Sequence, residues 1–181
     1  MSQQVLHGPQ HTTAAGTGLT ASTIVPLVIG GVAGMLAGVM MAMFSMVVAE
    51  LDGYGFWAPP RAITAVFFGT EHLGGGFEAD AVIGGVAIHM VLSMMFGVGF
   101  AVMLSPLRKV NVLAQTMIGM GFGAVLWAVN TYLIAPVFEG NVFDDAMADW
   151  TWIAAHLIFG GALGMIYALW RSERTAIEPR A

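Results

Sequence analysis

The chain has 181 residues, of which 57% are hydrophobic and only 9% charged, far from the roughly 25% charged share of soluble domains. Its formal net charge of -5 offers no basic surface for nucleic acid. The absence of Cys excludes disulfides, thiolate-held clusters, covalent haem attachment through Cys and thiol nucleophiles. The length suits one membrane domain of a few spans with short loops and leaves no room for a separate soluble catalytic domain.

Residues 1–22 are small and polar, with His7 and His11 but no Lys or Arg. They lack the positive start and immediate apolar core of a secretory signal, and read as a flexible cytoplasmic tail. Four apolar stretches follow, near 23–49, 84–104, 112–136 and 151–170, none with an interior charge. At about 1.5 Å per residue each can cross a hydrocarbon core of about 30 Å. The expectation is therefore an all-α membrane protein with a four-helix transmembrane domain over 23–170 and a cytoplasmic C-terminal tail over 171–181.

Arg108 and Lys109 follow the second stretch, and Arg171, Arg174 and Arg180 follow the fourth. The positive-inside rule puts both sites, and with an even number of spans both termini, in the cytoplasm. The acids Glu50, Asp52, Glu71, Glu78, Asp80, Glu139, Asp144, Asp145 and Asp149 all fall in the two loops assigned outside. The expected location is a bacterial inner membrane with an acidic outer face.

In the first outer loop, Gly-Phe-Trp-Ala-Pro-Pro-Arg (55–61) leads into an apolar run, 62–69, too short to span. The Pro pair suits a helix start, and the aromatic residues suit the membrane interface. A short interfacial or re-entrant helix is expected there. His72, Glu71, Glu78 and Asp80 lie close in sequence, but their spacing matches no zinc or calcium pattern, and they read as solvated loop residues.

The second stretch contains His89, Ser93 and Gly97, and the fourth His156, Gly160 and Gly164. Each has His, then a small residue at i+4, then Gly at i+8. Gly30, Gly34 and Gly38 in the first stretch answer more loosely to Gly119 and Gly123 in the third. The chain thus reads as two tandem helix pairs, each a Gly-rich helix followed by a His-bearing one, related by an axis along the membrane normal. Glycines four apart share one face and let helix backbones approach closely, so helix packing is their expected role.

His89 and His156 stand at nearly equal distances from the ends of their stretches, which predicts matched depth. Intramembrane ionisable residues face a bundle interior, a partner or a cavity. The first reading is that both rings hydrogen-bond neighbouring helices, as Ser45, Asn130 and Thr131 would, and that no cofactor is bound. One alternative is haem b, held axially by His89 and His156, with Arg61 the sole outer-loop cation for its propionates. Another is copper, held by His89, Met90, Met94 and His156, since thioether and imidazole ligands suit Cu(I). Against that, Met is a common filler of apolar interfaces, and the chain has 14. Glu50 would be a proton-relay residue if buried, and a headgroup residue otherwise. No hydrolase or zinc-protease motif and no paired intramembrane carboxylates occur.

The Gly-x-x-x-Gly first helix, Phe-Trp-Ala-Pro-Pro-Arg (56–61) and the two His-bearing helices together resemble a family of small bacterial four-helix membrane proteins without an assigned activity. The similarity covers about 30–170. It implies the fold and no chemistry. The expected function is a non-enzymatic accessory subunit, packed in the lipid bilayer against other integral membrane subunits of a respiratory or photosynthetic complex. A haem electron carrier and a small copper or solute transporter are the alternatives.

Overall fold

A computed structural model describes residues 21–107, 110–137 and 142–177, with side chains described from 24 to 171 within those ranges. The expected N-terminal tail thus falls almost wholly outside the described residues, as do Arg108, Lys109, Glu139 and Arg180. Among the described residues the fold is all-α. It comprises α1 (Ala21–Leu51), α2 (Ala58–Phe68), a 3-10 turn (Thr70–His72), α3 (Ala79–Leu104), α4 (Val112–Val129) continued by a π-helical turn (Asn130–Ile134), and α5 (Asp149–Ile177). Helices α1, α3, α4 with its π turn, and α5 are long and apolar enough to cross a membrane.

Helix ends differ from the apolar stretches because hydropathy marks lipid contact, whereas hydrogen bonding and capping set where a helix stops. Helix α3 begins five residues before the expected 84, with Asp80 in its first turn, where a carboxylate complements the positive end of the helix dipole. Asn111 caps α4 by accepting from Ala114 N at 2.8 Å. Helix α5 runs on to Ile177, through most of the expected tail.

The helices lie in the order α3, α1, α5, α4, with α1 and α5 in contact at the centre. The apolar stretches of α5 and α1 are accordingly 50% and 39% buried, against 22% and 17% for α3 and α4. Both outer contacts use glycine. A Cβ at Gly34 would meet Gly97 Cα at 2.9 Å, and one at Gly38 would meet Ser93 Cβ at 2.7 Å. On the other side, a Cβ at Gly119 would meet Gly164 Cα at 3.1 Å, and one at Gly160 would meet Gly123 N at 2.8 Å. The backbones touch directly, giving the van der Waals contact that replaces a hydrophobic driving force in lipid. Phe100 of α3, fully buried, then joins Phe122 of α4 and Tyr167 of α5, with ring centroids 5.5 and 6.0 Å away.

The short helix α2 is buried along eight of its eleven residues. It packs on the start of α3, where a Cβ at Gly85 would collide with Pro60 O, and Thr64 Oγ1 donates to Ala81 O at 2.6 Å. Ala58 and Ala62 also pack with Ala146 of the α4–α5 connection. The result is a lid over one end of the bundle.

Candidate intramembrane site

Beneath α2 lies a cavity of about 460 Å³, bordered by all four long helices and the lid. Pro59, Pro60, Ile63 and Phe67 line it from α2, and Phe96 and Phe159 from deeper in the bundle. Its polar lining consists of Ser45, His89, Ser93, Asn130 and His156, with no charged side chain.

His89 Nε2 lies 2.9 Å from Gly38 O. A carbonyl only accepts, so the ring donates from Nε2 and ties α3 to α1. His156 is held differently. Its Nδ1 lies 2.9 Å from Trp152 O, one turn back on α5, and therefore donates. In the neutral ring Nε2 then accepts from Asn130 Nδ2 at 3.0 Å. Trp152 lies nearly perpendicular to the His156 ring, stacks on Phe143 at 4.3 Å, and donates from Nε1 to Thr131 Oγ1 at 2.9 Å.

The π turn allows this. Adjacent residues on a regular helix point about 100° apart, yet Asn130 and Thr131 both bond to α5. The backbone ladder widens here, with Ala135 N donating to Asn130 O at 2.8 Å. Pro136, just beyond, has no N–H and its ring crowds a regular turn. Such π turns recur at functional positions. The expected span near 112–136 is there, from Val112 to Ile134, but its sequence reading does not anticipate the π turn.

The structure brings His89, Met90 and His156 to one cavity, but not Met94. Met94 is 41% exposed, because a five-residue step carries it well round α3 from His89. The expected four-residue copper set is therefore divided. Nε2 of both histidines is engaged by protein, so axial ligation of a haem through these atoms requires both helix–helix bonds to open. The expected packing glycines Gly30, Gly34, Gly38, Gly97, Gly119, Gly123, Gly160 and Gly164 all stand in the close helix contacts, as does Ser93.

Arg61 is committed elsewhere. Its guanidinium donates to His72 O at 2.7 Å, Leu73 O at 2.9 Å and Gly76 O at 3.0 Å, and pairs with Glu78 at 2.5 Å. This wraps the 70–78 loop around a 9%-exposed residue, and leaves no free cation at the place where a propionate would need one. Glu50 is exposed and accepts from Phe56 N at 2.7 Å, closing the turn into α2. Glu71, His72, Glu78 and Asp80 do not converge, and among the described residues no group of three His, Asp or Glu is placed to hold a metal ion.

Sequence reasoning found both histidines and Asn130, but not Trp152 or the lid. A Trp one turn before a buried His, and a Pro shortly after an Asn-Thr pair, are the available signals. The chain matches no family model, and neither the curated proteins nor the solved structures contain a match to it.

Proposed function

We propose that this protein is a non-catalytic accessory subunit of a larger complex in a bacterial inner membrane, with its termini in the cytoplasm. One observation carries this reading. His89, Asn130, Thr131, Trp152 and His156 all spend hydrogen bonds on fastening helices together or to the backbone. Groups used this way define a rigid scaffold.

We also read the two halves as copies of one unit. Gly38 and Gly123 each face the His of the partner helix, and Ser45 and Asn130 each follow seven residues later. Asn130 reaches its histidine, while the shorter Ser45 leaves His89 to bond Gly38 O. On the outer helices, Leu113, Met117, Gly121 and Val125 form one exposed stripe of α4, and Val91, Met95, Gly99 and Val102 another on α3. These stripes suit neighbouring membrane subunits.

Mild-detergent extraction of the tagged protein from its own host, followed by native electrophoresis, tests the proposal. Co-migration with other membrane subunits is expected. A stable protein that migrates alone, at the mass of the single chain, overturns it. A haem carrier has one observation in its favour, the shared cavity of His89 and His156. Expression with haem supplied decides between the two, since a scaffold shows no Soret band.

A further inference from the structure

The cavity beneath α2 is more than packing requires. Its volume, about 460 Å³, falls within the range of small-molecule sites, which are mainly apolar with a few convergent polar groups. Here one polar pair comes from each half of the bundle, Ser45 with His89 and Asn130 with His156.

We propose that this cavity binds a neutral lipid whose head is a flat ring bearing oxygen at opposite ends, the chemistry of a membrane quinone. Three features select that class. The lining carries no charge, which disfavours a phosphate or ammonium headgroup that would be desolvated without a partner. Both imidazole N–H groups are given to backbone carbonyls, so the donors left for the ring's oxygens are the Ser45 hydroxyl from one helix pair and the second N–H of Asn130 Nδ2 from the other. Around that ring stand methionines, among them Met41, Met46 and Met90, whose thioethers pack well against aromatic faces. Helices α3 and α4 are not packed along their lengths, and the ring's apolar tail passes between them. The proposal concerns binding alone and does not depend on the accessory role, because the isolated protein should bind.

The purified full chain in nanodiscs, titrated with a decyl-tailed benzoquinone and followed by tryptophan quenching, provides the test, with Trp152 on the cavity wall as reporter. Saturable binding of one quinone per chain is expected. Decane, which has the tail without the ring, should not compete. Ala42 lines the cavity, so Ala42→Phe fills it and should abolish saturation, whereas Val91→Phe, on the exposed side of α3, should not change it. Ser45→Ala, which adds no bulk, should weaken binding about 3- to 10-fold, as loss of one hydrogen bond does. Quenching that rises linearly with quinone in the membrane, or equal competition by decane, overturns the proposal for the native protein whatever the variants do.

Discussion

Arg61 shows how one residue's meaning changes between sequence and structure. By sequence it is a lone cation in an acidic loop. In the fold its fork supplies donors to three carbonyls of the 70–78 loop. Lysine concentrates its donors on one nitrogen and cannot reproduce that fork. Arg61→Lys should therefore cost about 1–3 kcal/mol, since each lost hydrogen bond to these half-buried or exposed carbonyls is worth about 0.5–1.5 kcal/mol net. Faster hydrogen exchange across 70–78 would report it. Glu78 is 48% exposed, so Glu78→Gln should lose less than about 1 kcal/mol. His89 and His156 were legible because spacing alone predicts matched depth. Their partners were not, because a bond to Gly38 O or Asn130 depends on which helices become neighbours and on the register of the π turn.

At the scale of the element, glycine position decides how closely helices approach, and α4 and α5 contain their own control. At Gly160 an added methyl would strike the backbone of Gly119 and Gly123, which cannot rotate away. Gly160→Ala should push the helices apart and cost about 1–3 kcal/mol, the usual cost of overpacking. At Gly121 the same methyl enters open space, and Gly121→Ala should change stability by no more than about 0.5 kcal/mol. Unfolding curves in one detergent compare the two directly; equal losses would mean that backbone contact is not what holds this pair. The sequence revealed the glycine faces because a four-residue repeat maps onto one side of a helix. It did not reveal α2 as a lid, because a short apolar run with a Pro pair fits both the interface and a protein surface. Burial of Pro60 against Gly85 depends on tertiary contact.

Across the whole molecule, charge and architecture are both polarised from end to end. Glu50, Asp52, Glu71, Glu78, Asp80, Asp144, Asp145 and Asp149 gather at the end that carries α2 and the cavity. Arg61, the basic residue at that end, does not oppose an outward orientation, since its charge is paired with Glu78 and enclosed by the loop. The clusters that the positive-inside rule weighs come at the other ends of the long helices in the sequence, Arg108 with Lys109 after α3 and Arg171 with Arg174 in the last turns of α5. The lid should accordingly face the periplasm. Because the chain has no Cys, a single introduced thiol reports its own side of the membrane. Gly76 is exposed, with open space around an added Cβ, and Leu107, at the other end, is 44% exposed. In cells with a permeabilised outer membrane, an impermeant maleimide should label Gly76→Cys at once and Leu107→Cys only after the inner membrane is broken. The reverse pattern would place the acidic lid in the cytoplasm and overturn the proposed orientation of the termini.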